Sequence, residues 1–219
     1  MATENGPITD VVLDLDGVLS TRDTFATLLV AAARRSPLVG VRSTPVLVRW
    51  VRAGHDVPRH AAASREVARS LLRGVTEPMY DALAHDVGTR LGRVAARASM
   101  VEVAAEARRA GAHIVVATGS EHRLAGAFLA AAGVEHDLLL ASTLRFTETG
   151  PVFDRHIRGE GKLAALREAG IDVERRRFWT DSFDDFPTAQ AAASVVLVAP
   201  SRHSAARYLA SGLAVERLA

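Results

Sequence analysis

The 219-residue chain has no cysteine. Disulfide staples, thiolate metal sites, iron–sulfur clusters and cysteine nucleophiles are therefore excluded, and any chemistry rests on oxygen and nitrogen. Lysine is almost missing too, since Lys162 is the single lysine among 27 cationic residues. Aromatic residues make up only 5% of the chain, and the Arg175–Arg177 run is short and isolated. That leaves little for base stacking or a phosphate-tracking surface, so nucleic acid is not an expected partner. Long apolar runs are lacking as well. The longest uncharged stretch, Phe186–Ser201, is interrupted by Pro187, Gln190 and Pro200 and is shorter than the ~20 residues a spanning helix needs. No membrane span is expected. The first residues, MATENGP, include Glu4 and no basic segment leading into an apolar one, so a cytoplasmic protein is the expectation. The glycine frames G-x-G-x-x-G and G-x-x-x-x-G-K-[ST] do not occur, which removes the usual dinucleotide and P-loop sites. None of the eight histidines has the H-E-x-x-H spacing that brings two rings to one metal.

What is present suffices for a packed core, with 48% hydrophobic and 24% charged residues and a net charge of +2. Apolar, strand-like segments occur at Ile8–Leu15, Ala112–Ala117, Phe178–Trp179 and Ser194–Ala199, and weakly at Leu138–Ala141. Helical stretches lie between them. Met100–Ala110, Glu121–Ala132 and Lys162–Ala169 each stop at a glycine (Gly111, Gly133 and Gly170), the residue favoured just past a helix end. Such alternation predicts an α/β fold with a parallel sheet covered on both faces and ligands bound beyond the carboxyl ends of the strands. Gly150-Pro151 within Leu144–Phe153 predicts a short hairpin attached to that sheet.

The segment 24–94 is different. Helical periodicity around Phe25–Ala33, Pro45–Val51, Ala61–Leu72 and Pro78–Leu91, without a strand, predicts an inserted all-helical domain, with 1–23 and 95–219 forming the core domain. The insert holds eleven Arg against five Asp or Glu (net +6), leaving sixteen cations against twenty acids elsewhere (net −4). A basic cap over an acidic floor would steer a small anion inward, although solvated helix faces account for the same arginines.

Four segments fall at strand ends or helix starts. In V-V-L-D-L-D-G-V-L, Asp14 and Asp16 lie two residues apart on an extended segment, so their carboxylates share a face. Converging carboxylates are tolerated when a cation sits between them or one keeps its proton; an acidic turn or part of a calcium loop reads the same way. In H-I-V-V-A-T-G-S, a strand ends at Thr118, Gly119 and Ser120 ahead of a helix. That arrangement makes an anion site, or simply a helix capped by Ser120. In R-G-E-G-K-L-A-A-L, the only lysine opens a helix, where a cation opposes the dipole. Something other than helix stability selects it, since a compact ammonium approaches a phosphate oxygen and a carboxylate together. Finally, R-F-W-T-D-S-F-D-D-F-P places Asp181, Asp184 and Asp185 beyond another strand, oxygen donors of the kind Mg²⁺ takes.

In this order the four segments, through D-L-D-G-V-L, A-T-G-S, G-E-G-K and D-S-F-D-D-F-P, resemble the haloacid dehalogenase superfamily of phosphohydrolases. The branch they resemble is that of phosphoserine phosphatase, with a helical cap after the first motif, and the likeness spans nearly the whole chain. It implies a Rossmann-like doubly wound parallel sheet and a Mg²⁺-dependent phosphatase acting on a small anionic phosphomonoester. Carried over by position, it implies that Asp14 is the nucleophile, forming an aspartyl-phosphate, and that Asp16 protonates the leaving oxygen and then activates water. Thr118 would hold the transferring phosphoryl group, with Gly17 and Gly119 beside it, and Lys162 would neutralise it and restrain Asp14. Asp14, Asp181 and the Asp16 carbonyl would bind Mg²⁺, with Asp185 supporting the metal shell. Asp16 also favours phosphate esters over halides, since a departing halide needs no proton.

Three positions depart from the pattern. Thr180 stands where glycine is frequent. Asp184 replaces the usual Asn or Ser near the phosphate and is expected to repel it unless it turns outward or binds the metal. Asp23 replaces the Glu with which phosphoserine phosphatases read the substrate amine, which counts against phosphoserine itself. Phosphotransfer to an alcohol, and a non-catalytic phosphate- or partner-binding role, remain alternatives for the same residues. The oligomeric state is not legible.

Overall fold

Val11, Val12 and Leu13 are at most 1% exposed, as an apolar strand covered on both faces requires. They form β1 (Asp10–Leu13). The computed structural model describes residues 10–35, 40, 43–46, 48 and 57–218. Ile8 and Thr9 of the expected first strand, and most of the expected helix at Pro45–Val51, lie outside the described residues.

After β1 come the helices α1 (Thr24–Arg35), α2 (Val57–Leu71), α3 (Glu77–Val94) and α4 (Ala98–Arg109). Then follow β2 (His113–Glu121), α5 (His122–Ala132), β3 (Leu138–Thr147), β4 (Gly150–Arg155) and α6 (Glu160–Glu168). The chain ends with β5 (Arg177–Thr180), α7 (Phe186–Ala191), β6 (Ser194–Val198), α8 (Arg202–Ser211) and β7 (Glu216–Leu218). The seven strands form one sheet in the order β4-β3-β2-β1-β5-β6-β7, parallel throughout except for β4. β1 is the strand at which the winding reverses, passing first to β2 and later to β5. In doubly wound sheets that switch point opens the crevice where ligands bind.

Alternate side chains of the central strands enter two cores. Val11, Leu13, Ile114 and Val116 pack with α1 to α5, while Val12, Val115, Phe178 and Leu197 pack with α6 to α8. The predicted hairpin is β3–β4, with Gly150 at its turn. A β-carbon there would lie 2.5 Å from the Leu72 carbonyl oxygen, so only glycine lets the turn rest against the end of α2. β3 is six residues longer than its apolar start suggested, and β7 and α8 had no sequence forecast. The β7 residues Glu216, Arg217 and Leu218 are too polar to read as a strand; they pair only with β6.

The two ends of the segment 24–94 lie side by side. The Thr21 N–H donates to the Ala95 carbonyl (2.8 Å), and the Arg97 N–H to that of Leu19 (2.8 Å). Within the intervening segment, α3 presses closely on α5. Gly88 and Gly92 face that helix, and a β-carbon at Gly92 would lie 2.5 Å from the Phe128 carbonyl. The buried Tyr80 of α3 also donates to Glu121 (3.0 Å), whose carboxylate caps α5. The helix cap is therefore Glu121 and not Ser120. Among the described residues no helix is long and apolar enough to cross a membrane.

Candidate active site

Strand register brings three of the four segments to one edge. Leu13 pairs with Val116 on one side and Trp179 on the other, so Asp14, Thr118 and Asp181 emerge together beyond the sheet. The Asp14 N–H extends the ladder by donating to the Trp179 carbonyl (3.0 Å).

Lys162 arrives from the first turn of α6 and is 2% exposed. Its Nζ lies 3.1 Å from Asp14 Oδ1 and 2.8 Å from Asp185 Oδ1. It also donates to Asp185 Oδ2 (2.8 Å), which accepts from the Thr180 hydroxyl as well (2.7 Å). Both Asp185 oxygens are thus occupied, and Thr180 supplies one of the donors. Burial works against the charge on Lys162, but the Asp14 and Asp185 carboxylates outweigh it and hold the ammonium above its ordinary range.

The carboxyl groups outnumber that ammonium. Burial pushes the Asp14 carboxyl well up; Lys162 opposes this, and Asp185, Asp181 and Asp16 add to it. Burial, then Asp185, raises Asp181 to about 6. Burial and the neighbouring Asp23 raise Asp16 to about 7, against the Thr24 N–H that donates to its Oδ1 (2.8 Å). Such values reflect negative charge without a matching cation, and a carboxyl near 7 suits a group that both gives and takes a proton at neutral pH.

The turn after Asp16 is held by a residue the sequence did not single out. Arg97 donates through Nε to the Val18 carbonyl (3.1 Å) and through Nη2 to the Gly17 carbonyl (3.0 Å). Gly17 has φ +80°, and a β-carbon on it would lie 2.2 Å from the Asp181 carboxyl carbon. Gly17→Ala is therefore expected to destabilise the protein by about 1–3 kcal/mol through strain and displacement of Asp181. Urea denaturation would detect this as a lower midpoint at unchanged slope.

Thr118 is fully buried, and its hydroxyl accepts from the Ser120 N–H (3.0 Å). The Ser120 hydroxyl shares a hydrogen bond with that of Thr24 (2.7 Å), joining the start of α1 to the end of β2. Asp184 neither points away nor approaches the carboxylates as a free charge. It pairs with Arg158, whose Nε donates to Oδ2 at 2.7 Å, and the neighbouring Nη2 contacts the same oxygen. Asp23 is exposed and caps α1, its Oδ1 accepting from the Ala26 N–H (2.7 Å). The D-S-F-D-D-F loop is anchored from behind, where Phe183 and Phe186 stack at 4.6 Å and the Tyr208 hydroxyl donates to the Ser182 carbonyl (3.2 Å).

Asp14, Asp16, Asp23, Gly17, Thr118, Gly119, Lys162, Asp181 and Asp185 all line one cavity of about 710 Å³. Over residues 11–190 the sequence matches the family of haloacid dehalogenase-like hydrolases. The chain belongs to that family. No curated protein matches it. Among solved structures, it is similar to a Bordetella pertussis protein of unknown function, at 17% identity and TM-score 0.74, covering 98% of this chain and 99% of that one. A phosphoserine phosphohydrolase-like protein from Francisella tularensis is similar at 12% identity and TM-score 0.63, with 96% and 94% covered. A probable phosphoserine phosphatase from Vibrio cholerae is similar at 15% identity and TM-score 0.63, with 97% of this chain and 62% of that one covered. The fold of this haloacid dehalogenase-like hydrolase is thus that of the phosphoserine-phosphatase-like branch.

Among the described residues no three His, Asp or Glu side chains form a ready-made metal cluster. Mg²⁺ does not require one, since it binds through one or two carboxylates and keeps waters and substrate oxygens. The excess of buried carboxylate over ammonium around Asp14 and Asp181 fits a divalent cation.

Proposed function

We propose that this hydrolase is a Mg²⁺-dependent phosphatase of small phosphomonoesters that works through an aspartyl-phosphate on Asp14. The observation that supports this best is the Lys162 ammonium, 3.1 Å from Asp14 and 2.8 Å from Asp185, at the strand ends beside Asp16, Asp181 and Thr118. Asp14 supplies a carboxylate oxygen that forms a bond to phosphorus as the ester oxygen departs. Asp16 gives its proton to that oxygen, then takes one from a water that attacks phosphorus and releases phosphate, restoring Asp14. Lys162 neutralises the transferring group and keeps Asp14 in position, while Thr118 and the Gly119 N–H receive its oxygens. Phosphoryl transfer demands this placement and charge compensation more than reactive side chains. Asp14, Asp181 and the Asp16 carbonyl would hold Mg²⁺, which supplies further charge neutralisation when bound. Asp185, with its oxygens committed to Lys162 and Thr180, supports that shell from behind. The helices of 24–94 serve as the cap over the site, whose ends meet at Thr21 and Ala95.

The direct test is release of phosphate from p-nitrophenyl phosphate and a panel of alkyl and sugar phosphates. Turnover should require Mg²⁺, vanish on chelation and return when the metal is restored. No release from any ester, or full turnover after chelation, would contradict the proposal.

A further inference from the structure

The cavity has two unlike ends. One holds the carboxylates and Lys162. The other runs between α1 and α2 and is walled by Phe25, Leu29 and Val30 from α1, Val67 and Leu71 from α2, and Phe153 from β4. Phe25 and Phe153 meet at 5.5 Å between ring centroids. Leu29, Val67 and Leu71 are at most 8% exposed, whereas Val30, on the same helix, is 50% exposed despite being a large apolar residue. His156 continues the wall, stacked on Phe153 at 4.6 Å, and burial with the nearby Arg158 and Arg65 charges pulls it down to about 4. It is an uncharged ring at neutral pH.

Polar readers are scarce at this end. Away from the carboxylate–lysine end, the charged side chains lining the cavity among the described residues are Arg22, Asp23, Arg34 and the Arg158–Asp184 pair. Arg22, Asp23 and Arg34 are exposed, Asp23 spends one oxygen capping α1, and Arg158 is neutralised by Asp184. Among the described residues, a substrate with an amine and a carboxylate beside its phosphate would find only the exposed Arg22, Asp23 and Arg34 as charged partners, and its other contacts would be aliphatic and aromatic carbon. The cavity, about 710 Å³ with its phosphate end included, has room for a ligand larger than a phosphorylated amino acid.

We propose that the substrate is an amphiphilic phosphomonoester, with its phosphate at Asp14 and Lys162 and an apolar chain or ring of its alcohol lying between α1 and α2 against Phe25 and Phe153. This rests on the phosphatase reading for the orientation of the phosphate and extends it to the leaving alcohol. The apolar group supplies affinity through burial, and only the phosphate and its ester oxygen meet polar groups.

Two independent measurements test it, both below micellar concentrations. Calorimetry with n-alkylphosphonates, which cannot be hydrolysed, should show Kd falling about fourfold per added methylene from ethyl to octyl, the gain expected of buried CH₂. Kinetics with n-alkyl phosphates and with benzyl and naphthylmethyl phosphates should show kcat/KM rising in the same way. A gain confined to the alkyl series assigns a lipid-like chain, and one confined to the rings an aromatic alcohol. Val30→Glu, at a half-exposed site that tolerates charge, and Ala26→Trp, which fills the space beside Phe25, should each flatten the dependence on chain length. Affinity and kcat/KM that rise neither with chain length nor with the aromatic esters, or dependence unchanged in both variants, would overturn the inference. If alkylphosphonates bind better with length but no ester is hydrolysed, the phosphatase reading falls and the ligand class stands. If esters are hydrolysed with no preference for apolar ones, the phosphatase reading stands and this inference falls.

Discussion

Asp14→Asn is expected to reduce turnover on the order of 10⁴- to 10⁶-fold, the range seen when a covalent nucleophile is removed. The amide keeps the shape of the side chain and the site it fills, but its nitrogen and carbonyl oxygen are poor nucleophiles toward phosphorus. Stability should not fall with activity. Burial, with the Asp185, Asp181 and Asp16 carboxylates, disfavours charge on Asp14 more than Lys162 favours it, and Lys162 keeps Asp185 as its partner, so in Mg²⁺-free buffer a neutral residue there is expected to leave the denaturation midpoint equal or higher. Steady-state kinetics beside urea denaturation checks both halves. A midpoint lowered as far as the activity would mean that Asp14 acts mainly as a structural residue.

Lys162→Ala should fail in both respects. It removes an ammonium that is 2% exposed and leaves the Asp14 and Asp185 carboxylates facing one another without a cation between them. Breaking a buried pair in this way costs about 3–5 kcal/mol. Loss of charge neutralisation at the transferring group should reduce kcat by a further factor on the order of 10²–10³, comparable with removal of one oxyanion donor. Lys162→Arg is not expected to rescue activity, because a planar, wider guanidinium cannot occupy the point from which Nζ reaches both carboxylates. The double variant Lys162→Ala with Asp185→Asn separates the two effects. It should recover part of the lost stability, since one orphaned charge is gone, and none of the activity. Recovery of both would mean that Lys162 serves only to balance Asp185.

The parts of this site legible in the sequence were those whose chemistry is written locally. Two acids two residues apart after an apolar strand, and a lone lysine in an unfavourable first helical turn, carry their own physical signal. The parallel sheet was legible for the same reason, since strands buried on both faces are apolar runs. Long-range partners were not. Arg97 reads as an ordinary surface cation, and its grip on the Gly17 and Val18 carbonyls depends on the chain returning from 24–94 to the place where it left. Arg158 neutralises Asp184 across 26 residues of sequence, so the repulsion expected from Asp184 could not be judged without the fold. Ser120 had the composition of a helix cap, but the cap is Glu121, because Tyr80 of α3 and two α5 amides converge on that carboxylate. The edge strand β7 escaped because three residues with two charges show no alternation.

The central claim is that phosphorus is transferred to Asp14. Rapid acid quench of the enzyme turning over a radiolabelled phosphomonoester, followed by peptide mapping, tests it most directly. The account predicts acid-stable, hydroxylamine-labile label on the peptide that contains Asp14, more of it when Asp16→Asn slows hydrolysis of the intermediate, and none in Asp14→Asn. Turnover without label on that peptide, or label carried by Thr118 or Ser120, would contradict it.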